Sequence, residues 1–392
     1  MLIENTAELA ALCEGWAKAE YITVDTEFMR ENTFYSILCL VQVAGPDGAV
    51  AIDPLAPGID LSPLYDVLAA PAPLKVFHAA RQDLEIFFNK TGRVPTPIFD
   101  TQVAAMVCGF GESVGYETLA ARLAGARIDK SSRFTDWSRR PLSERQVRYA
   151  LEDVTHLRTA YEKLSRTLER SGRAAWLGEE MALLSDPATY QIHPENAWKR
   201  LKVRHAKPRF LAVLHEIAAW REIEAQSRDI PRNRMLRDEA LLEIAGHPPR
   251  TIEELLRIRG MGRGLAEGKR GQTLIAAVGR ALALPDSELP SLPHYEPPSR
   301  NSGPLMELLK VLLKLRCDEE DVAAKLIANT SDLERIASHD EADVPALHGW
   351  RREIFGNDAL ALKRGELALA ARGDKVSVIR LTPDASIADV LP

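Results

Sequence analysis

No stretch of these 392 residues is apolar for long enough to cross a membrane, so no spanning segment is expected. The opening MLIENTAELAALCEGWAKAE carries acids where a secretory leader would carry bases, so no leader is expected either. Cysteine is scarce. Cys13, Cys39, Cys108 and Cys317 are scattered, form no CxxC pair, and three of them sit in apolar stretches. Buried, reduced thiols and a cytoplasmic location fit that usage. A strong charge of one sign is also missing: the net charge is −6, which argues against a protein that coats nucleic acid indiscriminately. What is present is ordinary for a globular protein, with 46% hydrophobic and 27% charged residues. The length exceeds one compact core and suggests two or three domains.

The average charge hides a pattern. Residues 204–285 hold 15 Lys+Arg against 10 Asp+Glu, and residues 127–148 hold seven basic against three acidic. Basic surfaces at defined places on an acidic chain suit a polyanionic ligand, although arginine is common throughout. Along the chain, YITVDTEF (21–28), ILCLVQVA (37–44) and AVAID (49–53) are β-rich runs too closely spaced for parallel crossovers, so an antiparallel meander is expected. A helix near 61–69, a strand at 74–78, a helix near 81–89 and a short strand within 94–100 follow. Helical periodicity then takes over, with a long helix starting at the cap-like Ser143 and running to about Arg170. This predicts an α/β domain with a mixed sheet over 1–170. A connecting segment (171–204) leads to an all-helical segment (205–285), a Pro/Ser-rich linker (286–304), a second helical segment (305–372) and an unplaced tail (373–392). The helical segments look like divergent copies: LHEIAAWREIEAQ (214–226) compares with LKVLLKLRCDEED (309–321), and EALLEIAG (239–246) with SDLERIAS (331–338).

Three short patterns carry candidate chemistry. On the strand 21–28, side chains alternate, which puts Asp25 and Glu27 on one face with Tyr21 and Thr23. In KVFHAARQDLEIF (75–87) a strand runs into a helix with Asp83 in its first turn. In RQVRYALEDVTHL (145–157), Tyr149 and Asp153 stack at i and i+4. Each has a plain alternative when taken alone: a solvated sheet face, an acid favoured by the helix dipole, an ordinary surface pair.

Together, DTE on a strand, HAxxxD after it and YxxxD on a long helix resemble the DEDD exonucleases, in their tyrosine subgroup. KSSRFTDWSRRPLSERQVRYALEDVTHL (130–157), LCLVQVA (38–44) and IFDTQVAA (98–105) are similar to the ribonuclease D family, whose layout of a nuclease domain and two helical HRDC modules the chain also follows to about residue 371. The resemblance implies a ribonuclease H-like fold for 1–170, with Asp25, Glu27, Asp83 and Asp153 binding two divalent cations and Asp25 bridging them. Four converging carboxylates would raise one another's pKa unless neutralised, and hard oxygen donors suit Mg²⁺ or Mn²⁺ rather than zinc. Tyr149 would hold the attacking water, and Thr26, Phe28 and His78 would contact the terminal nucleotide. For His78, a hydrogen-bonded residue at a strand end is an equal alternative. Trp137 and Arg140 read as packing and phosphate-facing respectively.

IRGMGRGLAEGKRG (258–271) follows a helical pattern rather than a strand, which removes the setting a dinucleotide loop needs. It reads as a turn between helices, where Arg263, Lys269 and Arg270 either touch phosphates or form a solvated basic edge. The second module's counterpart, LHGWRREIFGN (347–357), lacks the glycine cluster, so that copy is expected to bind nucleic acid poorly or to serve packing. The leading expectation is a 3′–5′ exoribonuclease trimming structured RNAs such as precursor tRNA, acting as a monomer with no obligate protein partner. Action on DNA, and a catalytically inactive nucleic-acid-binding scaffold, are the alternatives. The complete acidic set argues against the scaffold.

Overall fold

The computed structural model describes residues 1–129, 135–203, 206–291, 302–339 and 341–381. Most of the expected linker, part of the tail and residues 130–134 of the family-like stretch lie outside them.

The nuclease-like half opens with β1 (Leu2–Ile3) and α1 (Thr6–Trp16), followed by β2 (Tyr21–Met29), β3 (Ile37–Gly45) and β4 (Gly48–Ile52). Next come α2 (Ser62–Ala69), β5 (Leu74–Phe77), α3 (Arg81–Thr91), β6 (Ile98–Asp100), α4 (Thr101–Val107) and α5 (Tyr116–Ala124). The long α6 (Glu144–Ser171) and α7 (Trp176–Ser185) complete it. The six strands lie in the order β1-β4-β3-β2-β5-β6. β2, β3 and β4 pair antiparallel, as their tight spacing requires, while β1, β5 and β6 add in parallel. β1 and α1 carry no signal that the motif reading used; two residues of strand are too short to show a period.

Alternation along β2 decides which layer each side chain meets. Ile22 and Val24 are fully buried in one cluster with Leu9 and Cys13 of α1, Leu64 of α2 and Leu84 of α3. Tyr21, Thr23 and Asp25 point the other way, under α6. That helix begins with a capping box, Ser143 accepting from the Gln146 amide (3.3 Å) and the Gln146 side chain accepting from the Ser143 amide (3.0 Å). Its height over the sheet is set by three contacts. The Thr23 hydroxyl donates to the Val154 carbonyl (2.8 Å), Arg158 donates to the Ala44 carbonyl (3.1 Å), and the Tyr21 hydroxyl donates to Glu162 (2.6 Å).

The first helical module comprises α8 (Pro208–Ser227), α9 (Arg232–Met235), α10 (Asp238–Gly246), α11 (Ile252–Leu255), α12 (Arg263–Ala266) and α13 (Lys269–Ala283). It grips the loop after β2: Asp229 accepts from the amides of Phe34 and Tyr35, both at 2.9 Å, and Arg232 lies over the Phe34 ring at 4.3 Å. Its glycine-rich segment is a turn between helices, and one glycine has a packing reason. Gly271 lies where a Cβ would collide with the Ala266 carbonyl, whereas Gly262 and Gly264 face nothing within 4 Å. Gly271→Ala is therefore expected to destabilise the protein by about 1–3 kcal/mol through overpacking. Gly262→Ala and Gly264→Ala should leave the melting curve nearly in place, and thermal denaturation of the three variants checks this.

The second helical segment forms α14 (Ser302–Glu320), α15 (Ala324–Ile327), α16 (Thr330–Ser338), α17 (Gly349–Arg351), a π-helical turn (Arg352–Gly356) and α18 (Asn357–Lys363). Its core is continuous with that of the nuclease-like half: Leu309, Leu312 and Phe355 share a buried cluster with Ala104, Val107, Leu164 and Leu177. The Trp176 and Trp350 indoles stack at 4.3 Å, and Arg351, 5% exposed, pairs with Glu179 and Glu180 and donates to the Leu326 carbonyl. The part of the tail that is described, up to Leu381, takes on structure as well. β7 (Leu367–Arg372) pairs antiparallel with β8 (Lys375–Arg380). Six residues expected in the helical segment thus form a strand, because their partner lies in the tail and no helical face continues past Lys363.

Candidate active site

Asp25 leaves β2 on the face covered by α6, and Asp153 comes down from α6 to meet it. Glu27 joins them from one pleat further along β2. Ligand oxygens of Asp25, Glu27 and Asp153 all lie within 4.8 Å of one another. A register shift between Glu27 and Phe28 interrupts the pairing with β3 just past this point, which re-aims the strand where the carboxylates gather.

Asp83 arrives from the other side. It sits in the first turn of α3, 6% exposed, and accepts a hydrogen bond from the Thr26 hydroxyl. Thr26 points away from Asp25, so its side chain serves Asp83 and only its backbone remains for a ligand. The Thr26 amide meanwhile steadies the Asp25 carboxylate. Loss of solvent, opposed by that amide, pushes the Asp25 carboxyl up to about 7. Asp83 is held well above the carboxylate range by burial first and by Asp25 second. Carboxylates placed this close disfavour one another's ionisation unless a cation stands among them.

The turn from β5 into α3 is built around Asp100. Its carboxylate accepts from the amides of Ala79 (3.0 Å) and Ala80 (2.9 Å) and caps α4 through Gln102 (2.8 Å). This holds Ala79 at a φ of 57°, a left-handed conformation that costs a residue with a Cβ. Thr101 donates to the Phe77 carbonyl (3.0 Å) and therefore accepts from Nδ1 of His78, also at 3.0 Å. His78 is thus a hydrogen-bonded residue at the strand end, as one of its two expected readings has it, and it also lines the cleft. Burial lowers its pKa, opposed by Asp100.

The cleft, about 230 Å³, is lined by Asp25, His78, Tyr116, Glu117, Tyr149 and Asp153 among others. Tyr149 packs beside Trp137, ring centroids 6.2 Å apart. Tyr116 is a wall residue that motif reading missed. Its hydroxyl donates to the carbonyls of Glu152 (3.0 Å) and Asp153, and its ring meets His78 at 5.5 Å. Burial and Asp153 both raise its pKa, which keeps it a donor.

Arg140 is a correction. Expected to face phosphate, it is instead consumed inside the protein: Nε and Nη2 each contact Asp53 at 2.6 Å, and it donates to the carbonyls of Cys39 (2.7 Å) and Trp137 (2.8 Å). Trp137 is 2% exposed and packs, as expected. Arg263, Lys269 and Arg270 stand at the starts of α12 and α13 in the first helical module and do not line the carboxylate cleft.

A mixed sheet, a crossing helix and acids converging from strand and helices define a 3′–5′ exonuclease domain. Residues 1–169 match the family model for a 3′–5′ exonuclease, and residues 210–278 match that for the HRDC domain. The chain is 53% identical over 379 residues to ribonuclease D of Granulibacter bethesdensis and 52% identical to that of Acidiphilium cryptum, covering 96% and 97% of each chain respectively. Its fold matches the crystal structure of Escherichia coli RNase D, an exoribonuclease involved in structured RNA processing, with a TM-score of 0.80 at 31% identity over 93% of this chain and 98% of that one. The chain belongs to the ribonuclease D family. Of the expected pair of HRDC domains, one matches its family model, over residues 210–278; the second helical segment has no such match. No helix among the described residues is long and apolar enough to cross a membrane.

Proposed function

We propose that this chain is a 3′–5′ exoribonuclease in which Asp25, Glu27, Asp83 and Asp153 hold two divalent cations, Mg²⁺ or Mn²⁺, against the 3′-terminal phosphodiester. The observation that carries this reading is the convergence of Asp25, Glu27 and Asp153 within 4.8 Å; Asp83 stands outside that group, near enough for Asp25 to raise its pKa. An all-oxygen, anionic donor set fits hard cations. When bound, such ions lower the pKa of water and stabilise charge on the leaving oxygen.

The chain's own residues supply the rest. Tyr149, four residues from Asp153 on α6, orients the water that attacks the phosphorus. A tyrosine with a free pKa of about 10 stays protonated at neutral pH, so it positions the water rather than taking its proton. His78, with its ring fixed through Thr101, and Phe28 at the shifted end of β2 contact the terminal nucleotide, with the Thr26 backbone beside them. Hydrolysis then releases a 5′-nucleoside monophosphate. The domain limits follow the same reading: exonuclease 1–170, connection 171–204, HRDC 205–285, linker 286–304, second HRDC-like domain 305–372, tail 373–392. Support for the second copy comes from α14 with α16, which repeats α8 with α10, and from Gly356 against the Ala346 carbonyl, which repeats Gly271 against Ala266. That copy serves packing, while Arg263, Lys269 and Arg270 of the first copy hold the RNA body by charge. Precursor tRNA is the proposed substrate class, and the enzyme works as a monomer.

Digestion of 3′-labelled single-stranded RNA, DNA and a precursor tRNA with Mg²⁺ or Mn²⁺ tests metal, polarity and sugar together. Trimming should stop in excess EDTA and return when either ion is restored, and calorimetric titration with Mn²⁺ should register binding without turnover. Undiminished trimming in EDTA would refute the two-ion reading.

A further inference from the structure

Between the end of β2 and the first helical module lies a second cleft, about 390 Å³, that the carboxylate site does not use. Its walls carry Arg30, Arg200, Arg221 and Arg232, with Thr33 and Asn233 beside them. Their ionic partners are fewer. Arg30 pairs with Glu85 (2.9 Å), Arg221 with Asp238 (2.6 Å), and Arg232 grips Glu222 through two N–H groups. Among the described residues Arg200 reaches only the already occupied Glu222, at 3.8 Å, and its side chain is 58% exposed. Four guanidinium groups thus share three carboxylates. Burial lowers the pKa of Arg200, and the neighbouring Arg232 lowers it further against Glu222.

Arg221 lines the same cleft as a fixed positive charge, with its Nε sealed from solvent. It is 3% exposed, yet its Nε has no hydrogen-bond partner among the described residues. Arginine cannot shed its proton to escape this, so a buried N–H without an acceptor is costly. Other N–H groups of the same side chain are satisfied by Leu236 (2.9 Å) and Asp238 (2.6 Å), so the fold holds the group in place.

We propose that this cleft binds an internucleotide phosphate of the RNA strand whose 3′ end lies among the carboxylates, an inference that rests on the nuclease reading above. A phosphodiester brings the missing negative charge and acceptor oxygens that match planar guanidinium forks. The location suits a strand leading out of the active site. Arg30 is three residues past Glu27, hence at most about 11 Å away along the chain, and its partner Glu85 is two residues past Asp83. Phosphate contacts of this kind fix the register of the strand without reading its bases.

The test is binding of a fluorescent single-stranded oligoribonucleotide by the full chain in EDTA, followed by anisotropy. Arg200→Glu should raise Kd about ten-fold and Arg200→Ala about three-fold, and the alanine variant should flatten the slope of log K against log salt by about 0.7. Arg200→Lys should keep the wild-type slope. Asn233→Asp, on the exposed rim, should weaken binding several-fold without touching a buried contact. Unchanged Kd and slope in Arg200→Ala, Arg200→Glu and Asn233→Asp would overturn the proposal. Failure of the nuclease reading looks different: the wild-type chain would bind RNA in EDTA and leave its 3′ end untrimmed when Mg²⁺ is added.

Discussion

Asp153→Asn is expected to slow 3′ trimming by about 10³-fold or more, a loss of roughly 4 kcal/mol of transition-state stabilisation. The substitution changes one oxygen for an amide and leaves α6 its shape, so the melting temperature should stay within a few degrees. Asp153 lies within 4.8 Å of both Asp25 and Glu27, and a neutral side chain there removes one arm of the anionic set. In the absence of metal it also removes one of several mutually repelling carboxylates, which offsets whatever contact the side chain loses. Asp25→Asn should behave alike, since Asp25 belongs to the same group of three carboxylates and its charge acts on Asp83 as well. Thr26→Val supplies the contrast. It deletes only the hydroxyl that orients Asp83, a supporting contact of the kind whose loss costs about 10- to 100-fold. Single-turnover digestion of 3′-labelled RNA measures all three variants, and full activity in Asp153→Asn would remove this carboxylate from the chemistry.

The parts of the site that a reader of the sequence can find are those with a local period. Two-residue alternation puts Asp25 and Glu27 on one face of β2, a four-residue step puts Tyr149 over Asp153, and the strand-to-helix switch puts Asp83 in a first turn. What escapes is whatever depends on contacts far apart in the chain. Asp100 pins the backbone of Ala79 and Ala80 from about 20 residues away, and nothing in IFDT announces that its aspartate holds a turn on another strand. Tyr116 braces the Glu152 and Asp153 carbonyls across 36 and 37 residues. The partner of the Thr26 side chain is not announced by DTE either: alternation turns it toward the opposite layer, where it donates to Asp83. The second helical segment is equally opaque. Its amphipathic spacing suggests a free-standing module, yet its apolar face is completed by α4, α6 and α7 of the exonuclease half. Periodicity tells which face is buried and not against what.

Arg140→Ala is the other substitution with a large expected effect, and it acts on stability first. The guanidinium holds Asp53, which is 1% exposed, through two contacts at 2.6 Å. It also draws in the carbonyls of Cys39 and Trp137, so the stretch before α6 is tied to β3 and to the end of β4. Truncating it strands a buried carboxylate without a cation, which typically costs about 3–5 kcal/mol. For a cooperative unit the size of the exonuclease half that corresponds to a fall in melting temperature on the order of 10 °C. Arg140→Lys should recover little, because one ammonium cannot span the acceptors that a planar fork reaches together. Asp53→Asn in the Arg140→Ala background should restore part of the loss by removing the uncompensated charge, which a double-mutant cycle of thermal or urea unfolding would register. The opposite pattern would identify a phosphate contact: an unchanged melting curve with weaker, more salt-tolerant RNA binding. Because Trp137, which Arg140 anchors, packs against Tyr149, trimming should also slow in Arg140→Ala below its melting transition, through a displaced tyrosine rather than a lost ligand.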